Sequence, residues 1–138
     1  MRCFRVVVAS VLLALALGGC GRESQHDIRV SIEQIASVGS EGALMADDLS
    51  RGRTKTTYVR VHGEELSSQL EHEAEKLNDA PYDPALKARV EKAIELAGDI
   101  GGGIDDMRVS PHDRGLARDT ENKLQQWADE ASKLAEGL

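Results

Sequence analysis

In a chain of 138 residues, 24 acidic side chains outnumber 17 basic ones, and the formal net charge is −7 at pH 7. That excess of acid argues against a nucleic-acid partner and against general adhesion to anionic lipid. One Trp, two Tyr and one Phe are also too few for aromatic platforms on which bases would stack.

The start of the chain has the layout of an export signal. Arg2 and Arg5 give a positive start, and residues 6–17 are almost entirely apolar. This run is too short for a permanent membrane span, which needs roughly 20 residues. The Ala-x-Ala-like cleavage site of an ordinary secretory signal is absent. We therefore predict that residues 1–19 are a signal peptide that is cut by another route, directly before Cys20.

The end of this signal, Leu17-Gly18-Gly19-Cys20, resembles the lipobox of bacterial lipoproteins. The resemblance covers the first 20 residues. It implies that a diacylglyceryl group is attached to the sulfur of Cys20, that a dedicated peptidase cleaves before this residue, and that the new amino terminus is acylated. Because one acyl chain holds a protein only reversibly, two or three chains are needed for a stable anchor. We expect a membrane-bound protein with a lipidated tether, residues 20–26.

The residue after Cys20 bears on which membrane holds the anchor. In diderm bacteria, Asp at this position resembles a signal for retention in the inner membrane, and this chain has Gly21 instead. The resemblance therefore implies the periplasmic face of the outer membrane in a diderm organism, and the outer face of the cytoplasmic membrane otherwise. Because Cys3 leaves with the signal and Cys20 carries lipid, no thiol remains for a disulfide or a metal site.

From residue 27, apolar or small residues recur at steps of three and four, which predicts helices. The first helix starts at a capping box in residues 24–27 and stops at Gly52. Its apolar stripe consists of Ile28, Ile32, Ile35, Gly39, Gly42, Ala46 and Leu49. The second helix, about residues 55–79, ends ahead of Pro81. Its stripe consists of Val59, His62, Leu66, Leu70, Ala74 and Leu77.

The third helix has a well-matched start, with Asp83 as N-cap and Pro84 at the first helical position. Its stripe consists of Leu86, Val90, Ala93, Ala97, Ile100, Ile104 and Met107. The stripe runs past three consecutive glycines, residues 101–103, so we expect a soft point or a kink there. The fourth helix is predicted to begin at a capping box in residues 110–113. Its stripe consists of Ala117, Thr120, Leu124, Trp127, Ala131, Leu134 and Leu138.

Stripes with this spacing are typical of helices that cross at about 20°, and short turns make sequential helices antiparallel neighbours. We therefore predict an all-α domain, residues 27–138, that folds as an up-down-up-down four-helix bundle. The alternative is a set of helical hairpins that complete a bundle by dimerisation.

Small residues on the first helix, Gly39 and Gly42, indicate close packing against bulky partners such as Trp127. Together with His62, which falls on the apolar stripe of the second helix, they would alternatively line a groove for a small hydrophobic or metal ligand. A buried His62 that bonds to a backbone or carboxyl group is the other interpretation of that residue.

No motif predicts catalysis or a cofactor. A di-iron bundle needs Glu-x-x-His on two helices, and the only match, Glu23-Ser24-Gln25-His26, lies in the tether. The chain has neither the His-Glu-x-x-His of zinc proteases nor the Gly-x-Ser-x-Gly of α/β-hydrolases. We predict a protein that is not an enzyme, with no cofactor and no metal.

The charges are unevenly placed along the predicted bundle. A lipid on Cys20 would put the first and third turns at the far end. Five Asp lie there with seven bases, which are Arg51, Arg53, Lys55, Arg60, Arg108, Arg114 and Arg118. The opposite end has eight acids and four bases, although ordinary surface scatter would also give such a pattern. The hypothesis is that anionic headgroups repel the acidic end, so that the bundle stands upright and presents its basic end to a partner.

The predicted function is that of a membrane-anchored, non-enzymatic binding or accessory module of the cell envelope. Its partner would be an acidic protein or an acidic envelope polymer. A carrier of a small hydrophobic or metal ligand between the helices is the alternative, and a purely structural spacer is a third.

Overall fold

The computed structural model describes residues 25–138, and these residues contain four long helices and no strand. The helices are α1 (Gln25–Ser50), α2 (Thr56–Asp79), α3 (Lys87–Val109) and α4 (Arg114–Glu136), with a short 3-10 helix (Pro84–Leu86) directly before α3. The predicted all-α four-helix bundle is confirmed. The predicted signal peptide and Cys20 lie outside the described residues.

Two of the predicted helix boundaries depend on local hydrogen bonds that the structure contains. Gly52 has a φ of +68°, and its N–H donates to the carbonyl of Leu49 at 3.0 Å, while the N–H of Arg53 donates to the carbonyl of Asp48 at 2.7 Å. This left-handed glycine end stops α1 as predicted. The carboxylate of Asp83 accepts the N–H of Ala85 at 2.9 Å, which is the predicted N-cap.

The predicted start of the fourth helix was wrong by three residues. Ser110 is still bonded to α3, because its N–H donates to the carbonyl of Asp106 at 3.0 Å. It therefore ends one helix and is unable to begin the next. Asp113 takes the N-cap position instead, where its carboxylate accepts the N–H of Leu116 at 2.9 Å, and α4 begins at Arg114.

Each helix lies antiparallel to its neighbours in the chain, and α1 also packs along α4. The amide of Gln25 donates to the carbonyl of Leu138, and the guanidinium of Arg89 donates to the carbonyl of Gly137. The start of α1, the start of α3 and the end of α4 therefore share one end of the bundle, which we call the base. The turns at residues 51–55 and 110–113 form the other end, which we call the tip.

The core is complete within residues 25–138 and takes side chains from all four helices. The bulkiest fully buried side chains are Ile28, Ile32, Ile35, Leu66, Leu77, Leu96, Ile100, Ile104, Met107 and Leu124. Most of them are stripe positions of the sequence pattern. One diagonal pair, α1 and α3, is in contact, while α2 and α4 are not. α3 runs unbroken through residues 101–103. A single chain thus forms the four-helix core that the dimer alternative would have built from two.

Candidate functional site

The predicted ligand groove at Gly39 and Gly42 is closed by protein side chains. A Cβ atom at Gly39 would stand 3.0 Å from Ile100 Cδ1, and one at Gly42 would stand 3.1 Å from Ile104 Cδ1 and 3.3 Å from Leu124 Cδ1. Both glycines are buried. Their role is the close packing of α1 against α3 and α4, so the structure leaves no room for a ligand beside them.

The sequence analysis predicted Trp127 as the bulky partner of these two glycines, and that prediction was wrong. Trp127 is only partly buried, and its ring lies over Gly103, where a Cβ atom would be 3.4 Å from Cζ3. The branched side chains of α3 fill the space beside α1 instead. The close-packing interpretation therefore holds for Gly39 and Gly42, with partners other than the one expected.

His62 lies at the junction of α1 and α2, at the edge of the core. Its side chain is 18% exposed, its Nε2 is 2.9 Å from a carboxylate oxygen of Glu41, and its ring stacks on Tyr58 with centroids 4.9 Å apart. Glu65 approaches the other ring nitrogen at 3.6 Å. The expected carboxyl partner is present, but His62 is only partly buried and links two helices at the surface. It does not share a groove with Gly39 and Gly42.

Three of the seven predicted partner-binding bases are engaged with carboxylates of the chain itself. Arg51 and Arg53 both pair with Asp47, and Arg53 also donates to Asp48 at 2.8 Å. The hydrogen bond to Asp48 raises the pKa of Arg53 above its ordinary value. These pairs lie directly on the turn that Gly52 closes, so they brace the end of α1.

Arg108 is braced in the same way between α2 and α3. Its guanidinium donates to Asp105 at 2.6 Å and to Glu64, and its aliphatic stem lies across Gly63. The hydrogen bond to Asp105 raises the pKa of Arg108 above its ordinary value. Arg108 therefore serves the packing of two helices and has little capacity left for an outside partner.

The other four bases are exposed and have no carboxylate within 4 Å among residues 25–138. They are Lys55, Arg60, Arg114 and Arg118. Of the five Asp that accompany the bases at this end, three form ion pairs and Asp113 caps α4. The tip therefore offers unpaired positive charge to solvent, although the whole chain is acidic.

Three large apolar side chains near these bases were missed by the sequence analysis. Tyr58 is 50% exposed, Val61 67% and Val109 81%. They lie in the first two turns of α2 and at the end of α3, within two residues of Arg60 or Arg108 along the chain. Each falls off the apolar stripe of its helix, and that mismatch is the signal that would have found them. Apolar and aromatic side chains among arginines are typical of protein interfaces.

Two further structural findings concern the described part of the chain only. Between residues 25 and 138, no set of three or more His, Cys, Asp or Glu side chains is arranged to hold a metal ion. None of the four helices is both long enough and apolar enough to cross a bilayer.

The chain matches no family model, no curated protein and no solved structure. The geometry of the chain itself is therefore what bears on its function.

Proposed function

We propose that this chain is a lipid-anchored lipoprotein of the bacterial envelope, and that it works as a non-enzymatic binding module whose tip contacts an acidic protein. The observation that carries this proposal is the set of four exposed, unpaired bases at the end of the bundle farthest from Gln25. The lipobox Leu17-Gly18-Gly19-Cys20 supports the anchor. Gly21 favours the outer membrane in a diderm organism.

The geometry of the bundle supports an upright arrangement. Gln25 lies at the base and is five residues after Cys20, so an extended link between them reaches at most about 18 Å. α1 has 26 residues and, at 1.5 Å per residue, is about 39 Å long. A lipid on Cys20 would hold the base near the bilayer and the tip about 40 Å farther out.

The exposed apolar side chains at the tip favour a protein over an acidic polymer as the partner. A polymer needs only charge, whereas Tyr58, Val61 and Val109 gain from burial against an apolar surface. Exposed charge pairs contribute little each, and salt screens them over about 10 Å at 0.1 M. We therefore expect modest affinity that falls as salt rises.

The partner is tested by crosslinking in living cells with charge reversals at two unpaired bases of the tip, Arg60→Glu and Arg118→Glu. The matched control reverses two exposed bases elsewhere on α4, Lys123→Glu and Lys133→Glu, with the same change in net charge. Neither lysine has a carboxylate within 4 Å among residues 25–138. The tip variant is expected to lose at least four fifths of the crosslinked product, and the control to keep it. Equal yields from the two variants would reject the tip as the binding surface.

The anchor is tested separately with Cys20→Ala. The unaltered chain is expected to fractionate with membranes and to show, by mass spectrometry, the added mass of a diacylglyceryl group and an acyl chain. The Cys20→Ala variant is expected to lose that mass and to leave the membrane fraction. If the unaltered chain had the mass of an unmodified polypeptide, the proposed anchor would be wrong. The proposal that the tip is a binding surface would not be affected.

A further inference from the structure

Three glycines on α3 have no packing reason within the part of the chain that the structure describes. Among residues 25–138, a Cβ atom at Gly98 or Gly102 would meet no atom within 4 Å, and one at Gly101 would meet only Leu70, at 3.8 Å. In a helix interior each glycine costs up to about 1 kcal/mol relative to alanine. Gly39 and Gly42 offset that cost by letting helices approach each other, but Gly98 and Gly102 face open space.

The open space belongs to a groove between α2 and α3. It has a volume of about 310 Å³, and its lining includes Leu70 and Ala97, together with Gly98, Gly101 and Gly102. Leu70 and Ala97 are nearly fully buried by the core beneath them. We call this feature the glycine groove. Because its α3 side has no side chains at three positions, an incoming backbone has access to an apolar floor.

Both banks of the glycine groove carry negative charge. Glu71 on α2 lines the groove, is exposed, and has no basic nitrogen within 4 Å among the described residues. Asp105 also lines the groove, where it accepts hydrogen bonds from Ser67 at 3.0 Å and from Arg108 at 2.6 Å. An apolar floor between carboxylates on both banks is complementary to an apolar stripe flanked by Lys or Arg.

We propose that the glycine groove is the docking site for a cationic amphipathic helix of a partner protein. The groove follows α3 from Ile94 to Asp105, a distance of about 17 Å, which accepts three turns of helix. Small residues let two helix backbones approach closely, and an amphipathic helix in a groove is a recurring mode of recognition. This site lies on the side of the bundle, uses charge opposite to that of the tip, and does not depend on whether the tip binds a partner.

The test uses the full chain in phosphatidylcholine nanodiscs and a dye-labelled 18-residue peptide of Ala, Leu and Lys, with one apolar face between two rows of lysine. Binding is measured by fluorescence anisotropy, and empty nanodiscs are subtracted. The key variant is Gly102→Leu, which fills the groove without changing charge and meets no atom of the chain at its Cβ. We expect it to weaken binding at least tenfold and to melt no lower than the unaltered chain.

Two controls make the result decisive. A peptide with Glu in place of Lys is expected not to bind. Charge reversal of Arg60 and Arg118 is expected not to weaken peptide binding, which separates this site from the tip. Equal peptide affinity for the unaltered chain and Gly102→Leu would overturn the proposal, because simple attraction between opposite net charges would then suffice. Dimerisation of the unaltered chain that Gly102→Leu abolishes would also overturn it, in favour of a second copy in the groove.

Discussion

Gly39 and Gly42 on α1 and Gly98 and Gly102 on α3 are pairs of the same residue, in the middle of long helices, with opposite surroundings. The α1 pair is covered by side chains of α3 and α4 at 3.0 to 3.3 Å from where a Cβ atom would be, and the α3 pair is covered by nothing within 4 Å. The first pair brings α1 into diagonal contact with α3 and so shapes the bundle. The second pair leaves the outer face of α2 and α3 open.

The two pairs therefore differ in their role in folding: close packing requires glycine at the α1 pair, whereas the fold only tolerates glycine at the α3 pair. At Gly39 and Gly42, a side chain would push against Ile100 and Ile104, which have no exposed surface and nowhere to move. At Gly98 and Gly102, a side chain would only add helix propensity and cover apolar floor. Glycine on α3 therefore makes the bundle less stable than it would be with alanine, and a partner that approaches this face is a physical reason for its presence.

The largest expected effect comes from adding the same bulk to both pairs. Gly42→Leu should lower the free energy of unfolding by about 1–3 kcal/mol, because overpacking forces buried neighbours out of position. Gly102→Leu, the matched control, should leave it unchanged or higher. Urea denaturation followed by circular dichroism measures both. If the two variants lost stability equally, the contrast between the pairs would disappear.

A smaller effect with the opposite sign is expected from alanine in the groove. Gly98→Ala and Gly102→Ala should each raise the free energy of unfolding by up to about 1 kcal/mol, since the helix gains propensity and no contact is strained. The same denaturation curves report the change, and the double variant should be more stable than either single variant, because neither new Cβ atom meets a described atom within 4 Å. A loss of stability in either single variant would mean that these glycines have a structural role after all.

The smallest effect is expected at Gly63, where the nearest atoms to a new Cβ atom belong to the side chain of Arg108. A Cβ atom there would stand 2.7 Å from Cγ of Arg108, so the arginine would have to swing away from Glu64 and Asp105. The gain in propensity and the loss of exposed ion pairs nearly cancel, and Gly63→Ala should change stability by less than about 0.5 kcal/mol. At 1 M NaCl, where the pairs of the unaltered chain are screened, the variant should be the more stable of the two. A loss above 1 kcal/mol would contradict this account.

The fold was predictable because each helix carries a local signal for its own ends and face. Gly52 and Asp83 stop and start helices through hydrogen bonds to residues within five positions of themselves, and such bonds depend on sequence alone. The start of α4 was missed because Ser110 and Asp113 are both good N-caps. The choice between them depends on where α3 ends, which is set by packing along the whole helix.

The candidate sites were less predictable, because they depend on which face of a helix meets a neighbour. Composition and chain position identified the seven bases. Only contacts between side chains distinguish Arg108, which is bound to α2, from Arg60, which has no ion pair with any described residue. The sequence analysis placed a ligand groove at the glycines of α1, whereas the glycines that border an open groove lie on α3. Gly98 and Gly102 are four residues apart and off the stripe of Ile100 and Ile104, so helical spacing alone would have indicated an outward position.

The meeting of Gln25 and Leu138 at the base has a consequence for circular permutation. Because the first residue of α1 lies beside the C-terminal Leu138, the two ends of the bundle segment, residues 25–138, can be joined by a short linker. New ends can then be opened in a surface turn without rebuilding the core. Opened between Arg53 and Lys55, the rejoined bundle would keep every helix pair, and the lipid anchor proposed for Cys20, moved to the new N-terminus, would hold it by the tip. Such an inverted molecule would place the tip, with its exposed bases, among the headgroups and would point the base of the bundle outward.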